Sequence, residues 1–261
     1  FERRRYWVEP APATAPRRPR AGHPLLGTPR RSPGKRRQFE AELSAEVLPW
    51  LADHAVRGVP TVPAAATLEM LAAAAGDNPT GGPVAVADVR FGGLLTLDAP
   101  QLAVTERDGT ALTVEATPLD GEDWRPVAEA SVVEPGETEE PVDLDGVRRR
   151  CPDPVDVAGF YDAFPAQGLA YGPAFRAVVA LYQGDGEALA RLVLPDGLDP
   201  AGLRLHPSLL DGAFQSLGAA ARGVDVTGEG HLPARLDRMT WTGTLPGREL
   251  WAWTRLRAGP G

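Results

Sequence analysis

Residues 54–76 read HAVRGVPTVPAAATLEMLAAAAG. Pro63 suits the first turn of a helix, the run from Ala64 to Ala75 is built of strong helix formers, and Gly76 closes it. A helix with so few polar side chains must be wrapped by other elements, because no face of it is suited to water. The wrapping is legible on both sides. Upstream, Phe39, Ala41, Leu43, Ala45 and Val47 alternate with Glu40, Glu42, Ser44 and Glu46, the period of a half-buried strand at which order is expected to begin. Downstream, strand candidates lie near 84–97, 101–107, 111–118 and 124–133, with Asp108-Gly109 as a hairpin turn. Strand, buried helix and antiparallel meander together predict a sheet curled around one helix.

The pattern then recurs. Residues 134–156 are acidic, rich in proline and poor in apolar residues, and read as a connection. Strand candidates at 174–182 and 187–194 flank Asp185-Gly186, and Pro207 opens SLLDGAFQSLGAAARG, a second helix with few charges. Strand candidates near 238–245 and 249–257 follow. Two similar halves explain two proline-led buried helices better than one continuous fold. Four candidates follow the first helix and two the second, so the expectation is that the last strands of the second half are missing from this chain.

Composition narrows the function classes. The 261 residues carry a formal charge of −8 and a single cysteine, Cys151, which excludes an internal disulfide and a clustered Cys/His zinc site. No apolar run approaches the length of a membrane span and the N-terminus lacks the order of a secretory signal, so a cytoplasmic location is expected. Residues 1–38 hold 11 basic and two acidic residues, leaving 16 basic against 33 acidic, or −17, for the remainder. Such a body repels phosphate backbones, which argues against nucleic acid as a partner. The Arg- and Pro-rich first 38 residues read as a linker or arm; their prolines argue against a transit peptide. A start at Phe1 reads as a piece cut from something longer.

Four histidines are present. His23 lies in the arm and is expected to be solvated, His206 to cap or pack near the second helix, and His231 to sit in an exposed Gly-rich loop. His54 stands apart, since a titratable ring there precedes Gly58, Pro60, Pro63 and the buried helix. On the second helix Asp211 and Gln215 are four apart and share a face. Burial would raise the Asp211 carboxyl so that it could serve as an acid, with Gln215 holding it; the alternative is an Asp at the helix's wet edge.

Three words occur in order: HAVRGVPTVP fits HxxxGxxxxP, LAYGPAF contains YGP, and HPSLLDGAFQ contains DxxxQ. Together they resemble the dehydratase domain of a modular type I polyketide synthase. The flanks agree: FERRRYW is similar to a post-acyltransferase linker, HPLLG to the usual dehydratase opening, and LPARLDRM to a later LP-containing segment. The resemblance implies an α+β double hotdog, two antiparallel sheets each wrapped around a buried helix. It divides the chain into a linker (1–22), an N-terminal hotdog (23–140), an inter-hotdog linker (141–156) and a C-terminal hotdog (157–261).

The resemblance also implies that His54 and Asp211 face each other across one tunnel and remove water from a β-hydroxyacyl thioester carried on the phosphopantetheine arm of an acyl carrier protein. His54 would take the α-proton and Asp211 would protonate the departing hydroxyl. Gln215 would orient Asp211, and Tyr171, set by the Gly172-Pro173 turn, would hold the hydroxyl or carbonyl end; a core tyrosine is the alternative. N–H groups after Pro63, with the chain at Gly58, would steady the enolate-like oxygen, and a side chain at Gly58 would block the tunnel or the turn. No metal or diffusible cofactor is implied. Ala64 replaces the glycine that many relatives place after the motif proline, and Arg57 is expected to point to solvent. The implied partners are the carrier protein, neighbouring acyltransferase and ketoreductase domains, and a second copy within a dimeric synthase. Alternatives are a pyran-forming cyclase or double-bond isomerase on the same fold, or a silent docking scaffold; a hotdog thioesterase would leave YGP and DxxxQ unexplained.

Overall fold

The computed structural model describes residues 22–31, 34–137, 140–221, 232–243 and 247–257. In chain order the first half runs β1 (Thr28–Arg30), β2 (Arg37–Leu43), a 3₁₀ turn at Pro49–Asp53, β3 (His54–Val56), β4 (Val59–Val62) and α1 (Ala64–Ala75). It continues with β5 (Val84–Phe91), β6 (Leu95–Thr96), β7 (Gln101–Asp108), β8 (Ala111–Pro118) and β9 (Arg125–Val133). Next come α2 (Leu144–Arg150), β10 (Asp153–Pro154), α3 (Val157–Asp162), β11 (Leu169–Tyr171), β12 (Val178–Gln183) and β13 (Glu187–Val193). The described chain ends with α4 (Pro207–Gln215), α5 (Leu217–Ala220), β14 (Arg235–Trp241) and β15 (Glu249–Arg255).

Every residue of α1 from Ala65 to Ala75 is buried. Its alanines let β5, β7, β8 and β9 approach the helix closely, while Leu68 and Leu71, fully buried, each contribute about 1.5–3 kcal/mol of apolar burial. The sheet that wraps it has seven strands in the order β1-β2-β7-β8-β9-β5-β14. A second sheet, β10-β12-β13-β15, packs against α4 and α5. This is the α+β double hotdog.

The halves interlock twice. In a third, small sheet of order β11-β3-β4-β6, a strand of the second half pairs with one of the first. β14, read as part of the second half, pairs instead with β5, Trp241 opposite Val84, because Trp241 is buried in the first core and the half-buried Leu236 and Met239 pack against it.

Other expectations are corrected by tertiary contacts. Order begins before Phe39: Leu25 and Leu26 are in the core and β1 pairs with β2. His23 is not solvated but buried, accepting the Leu26 N–H at Nδ1 and donating from Nε2 to Glu69 of α1, 3.1 Å away. The 134–156 connection contains α2, capped by the Asp143 carboxylate, with Val147 and Cys151, four apart, packed on Leu189. The 84–97 candidate divides into β5 and β6 at Gly92, where a Cβ would lie 2.7 Å from the Pro126 carbonyl oxygen. The second helix divides at Ser216, whose hydroxyl donates to the Ala213 carbonyl.

Candidate active site

His54 leaves the Pro49–Asp53 turn at the start of β3 and is buried. The β3–β4 hairpin turns through Arg57 (φ 51°) and Gly58 (φ 79°), the two positive φ values of a type I′ turn. The hairpin returns the Thr61 carbonyl to within 2.8 Å of His54 Nδ1. A carbonyl only accepts, so Nδ1 carries the hydrogen and the lone pair of the neutral ring is at Nε2. Phe175 meets the ring edge-on at 5.3 Å, and Tyr171 packs against it at 5.6 Å.

Asp211 approaches from α4. That helix sits close to its sheet because Gly212 carries no side chain: a Cβ there would be 3.2 Å from Leu192 and 3.3 Å from Ala177. Asp211 is buried, and its Oδ2 accepts from Gln215 Nε2 at 2.9 Å, so the wet-edge alternative does not hold. Burial pushes its carboxyl above the ordinary range, against the opposing pull of His54 and the Gln215 bond. Gln215 Nε2 also donates to the Phe175 carbonyl at 3.0 Å, and its Oε1 accepts from the Tyr161 hydroxyl at 3.0 Å.

His54, Asp211, Gln215 and Tyr171 line one cavity of about 570 Å³, with apolar walls that include Leu68 and Phe214. Burial pushes the Tyr171 hydroxyl well above its ordinary range, so it stays a donor. Pro63 is the N-cap of α1, and Ala64, the next residue, lines the cavity.

Two expected contributors serve elsewhere. Gly58 is exposed at the hairpin tip and does not line the cavity; a Cβ there would meet open space, so its role is the left-handed turn and not clearance of a tunnel. Gly172 answers to Asp53: its N–H donates to the Asp53 carbonyl at 2.7 Å, and a Cβ would meet the Asp53 side chain at 2.4 Å. Arg57 is exposed. His206 caps α4, accepting from Ser208 N–H at 3.1 Å, and burial pushes its ring down to about 4. His231 lies outside the described residues.

Sequence reasoning missed Asp53, which accepts the Ala174 N–H at 2.7 Å, as well as Thr61 and Tyr161. None carries a spacing signal, since each partner comes from a distant segment or is a backbone atom. Among the described residues no group of three or more His, Cys, Asp or Glu is placed to hold a metal ion, and no helix is long and apolar enough to cross a membrane.

Fold and site define a double hotdog whose halves supply a buried imidazole and a buried carboxyl to one apolar cavity. The chain belongs to the polyketide synthase dehydratase family: a family model described as "Polyketide synthase dehydratase domain" matches residues 23–128, and one described as "Polyketide synthase dehydratase N-terminal domain" matches 139–259. It is 34% identical to polyketide synthase GfsE of Streptomyces halstedii, over 93% of this chain and 7% of that protein. It is also 34% identical to pikromycin polyketide synthase component PikAII of Streptomyces venezuelae, over 91% and 7%. The chain thus spans only about 7% of the length of these relatives. The dehydratase domain from the CurK module of curacin polyketide synthase superposes with a TM-score of 0.80 at 27% identity, covering 90% of this chain and 88% of that one.

Proposed function

We propose that this domain dehydrates a β-hydroxyacyl thioester held on an acyl carrier protein, giving the α,β-unsaturated thioester during polyketide elongation. The observation that carries the reading is that His54, with its lone pair at Nε2, and Asp211, biased by burial toward its protonated form, line one cavity. His54 takes the α-proton, the C–H electrons form the new double bond, and the β C–O bond breaks as Asp211 gives its proton to the leaving hydroxyl. Water departs, leaving imidazolium and carboxylate, and transfer of one proton from the first to the second restores the site. The start of α1 at Ala64 directs its dipole at the oxygen on which charge develops, and Tyr171 donates to the hydroxyl or carbonyl end. In support, a His-to-Phe and an Asp-to-Asn form of the CurK dehydratase, 27% and 26% identical to this chain, are both described as inactive mutants.

In this reading the chain works in the cytoplasm as a hydro-lyase within a multidomain synthase. Its partners are the carrier protein, adjacent acyltransferase and ketoreductase domains, and a second copy in the synthase dimer. The phosphopantetheine arm arrives with the substrate. The test is to load a β-hydroxyacyl chain, and separately its enoyl counterpart, onto a carrier protein and follow the acyl mass. Loss of one water, or gain in reverse, that disappears in His54→Phe and Asp211→Asn supports the assignment. An unchanged mass in both directions with folded protein overturns it.

A further inference from the structure

The hydrogens around Gln215 have only one consistent arrangement. The Phe175 carbonyl cannot donate, so the atom facing it at 3.0 Å is the amide nitrogen of Gln215, and Oε1 must face the Tyr161 hydroxyl. That hydroxyl in turn accepts the Val178 N–H at 3.0 Å, so its own proton points to Gln215. The second amide hydrogen is left for Asp211 Oδ2. Tyr161 is buried, with the Arg176 guanidinium over its ring at 5.2 Å. Nothing else in the mechanism uses this phenol.

We propose that Tyr161 is a positioning residue: its hydroxyl locks the Gln215 amide, which engages Oδ2 of Asp211 and makes Oδ1 the oxygen that delivers the acid proton. The proposal rests on the dehydratase reading for its consequence in turnover, but not for the hydrogen-bond chain itself. Among the described residues, three titratable groups face the Asp211–Gln215 pair: His54 from β3, Tyr171 from β11 and Tyr161 from α3. On α1, Glu69 is engaged by the backbone N–H groups of Arg204 and Leu205.

The test compares wild type with Tyr161→Phe, which keeps the ring and removes the hydroxyl. Two readouts are needed: the pH profile of dehydration, and the titration of the Asp211 carboxyl by carbon-13 NMR, its signal assigned by loss in Asp211→Asn. A loosened amide donates less to the carboxylate. Asp211 should therefore titrate higher by about 0.5 to 1 pH unit, the worth of one hydrogen bond, and the alkaline limb of the profile should follow. Turnover should fall roughly tenfold with KM little changed, as misalignment of an acid produces. A lower melting temperature with Asp211 titration unmoved would make Tyr161 a packing residue and overturn the proposal. If Tyr161→Phe shifts the titration while wild type dehydrates nothing, the positioning role stands and the dehydratase reading falls. Should Tyr161→Phe fold poorly, 3-fluorotyrosine at 161 keeps the contacts and strengthens the donor, so Asp211 must titrate lower; no change there also overturns the proposal.

Discussion

His54 and Tyr171 stand directly opposite each other across the antiparallel pairing of β3 with β11. The imidazole of the first half is thus registered on a tyrosine of the second by main-chain hydrogen bonds, and a one-residue slip of β11 against β3 would turn Tyr171 to the face opposite His54. Asp53 secures that register, its carbonyl holding the Gly172 N–H and its carboxylate the Ala174 N–H. The interface between the hotdogs is therefore part of the site, and neither half holds a complete one.

The two glycines beside this pairing should respond differently to alanine. Gly172→Ala places a Cβ 2.4 Å from Asp53, which must displace the turn that carries Tyr171. The expected cost is about 1–3 kcal/mol, typical of overpacking, together with a clear loss of turnover. Gly58→Ala meets no neighbour and is penalised only by its left-handed φ of 79°, about 1–2 kcal/mol, with turnover per folded molecule retained. Thermal melts paired with single-turnover assays separate the two, and equal turnover losses would contradict the assignment.

Glu69 is fully buried on α1, where it accepts from His23 Nε2 and from the N–H groups of Arg204 and Leu205. It joins the N-terminal segment, the first helix and the approach to α4, and so sets where Asp211 enters the cavity. Glu69→Gln turns an amide donor toward groups that are all donors. Stability should drop by about 1–3 kcal/mol, the cost of unsatisfied buried polar groups. Hydrogen exchange should show residues 23–30 losing protection first; uniform loss across the chain would count against this hub.

The elements visible from sequence were those whose cause is local. The alanine run of α1, the alternation at 39–43, the Asp108-Gly109 turn and the four-residue spacing of Asp211 and Gln215 each depend on neighbours in sequence. What escaped depends on partners far along the chain. The burial of His23 is not legible locally, because the proline-rich composition around it says nothing of Glu69, 46 residues away. The period of β14 shows a strand but not that its partner is β5, and Tyr161 reads as one more core aromatic until Gln215, 54 residues on, is beside it.

His206 makes stability depend on acid. Its ordinary value is 6.5, and burial, with Arg248 adding to it, pushes the folded ring down to about 4. Below pH 6.5 the unfolded chain binds a proton that the folded chain refuses. This contribution to stability is therefore complete above pH 6.5 and is lost as pH falls toward 4. His206→Asn keeps a side-chain oxygen for the Ser208 N–H and does not titrate, so its denaturant midpoint should fall less steeply over that window. Parallel curves for the two proteins would show that another group governs the acid limb.

Asp211 has the opposite sign, and its substitution separates stability from chemistry. Burial raises the folded carboxyl above its unfolded value of 3.8, so the folded state holds a proton that the unfolded state has released. Wild type therefore loses stability as pH rises from that value through the folded one, and above it bears the full cost of a buried carboxylate, relieved in part by His54 and Gln215. Asp211→Asn removes the titration and can still accept from Gln215 Nε2 through its amide oxygen. At pH 8 the variant should match or exceed wild type in urea midpoint, and the difference should close toward pH 4. Its turnover should fall by about 10²–10⁴, the worth of a general acid. A variant that is both inactive and much less stable at pH 8 would mean that the Asp211 carboxylate holds the fold together, and the case for Asp211 as an acid kept protonated by its surroundings would fail.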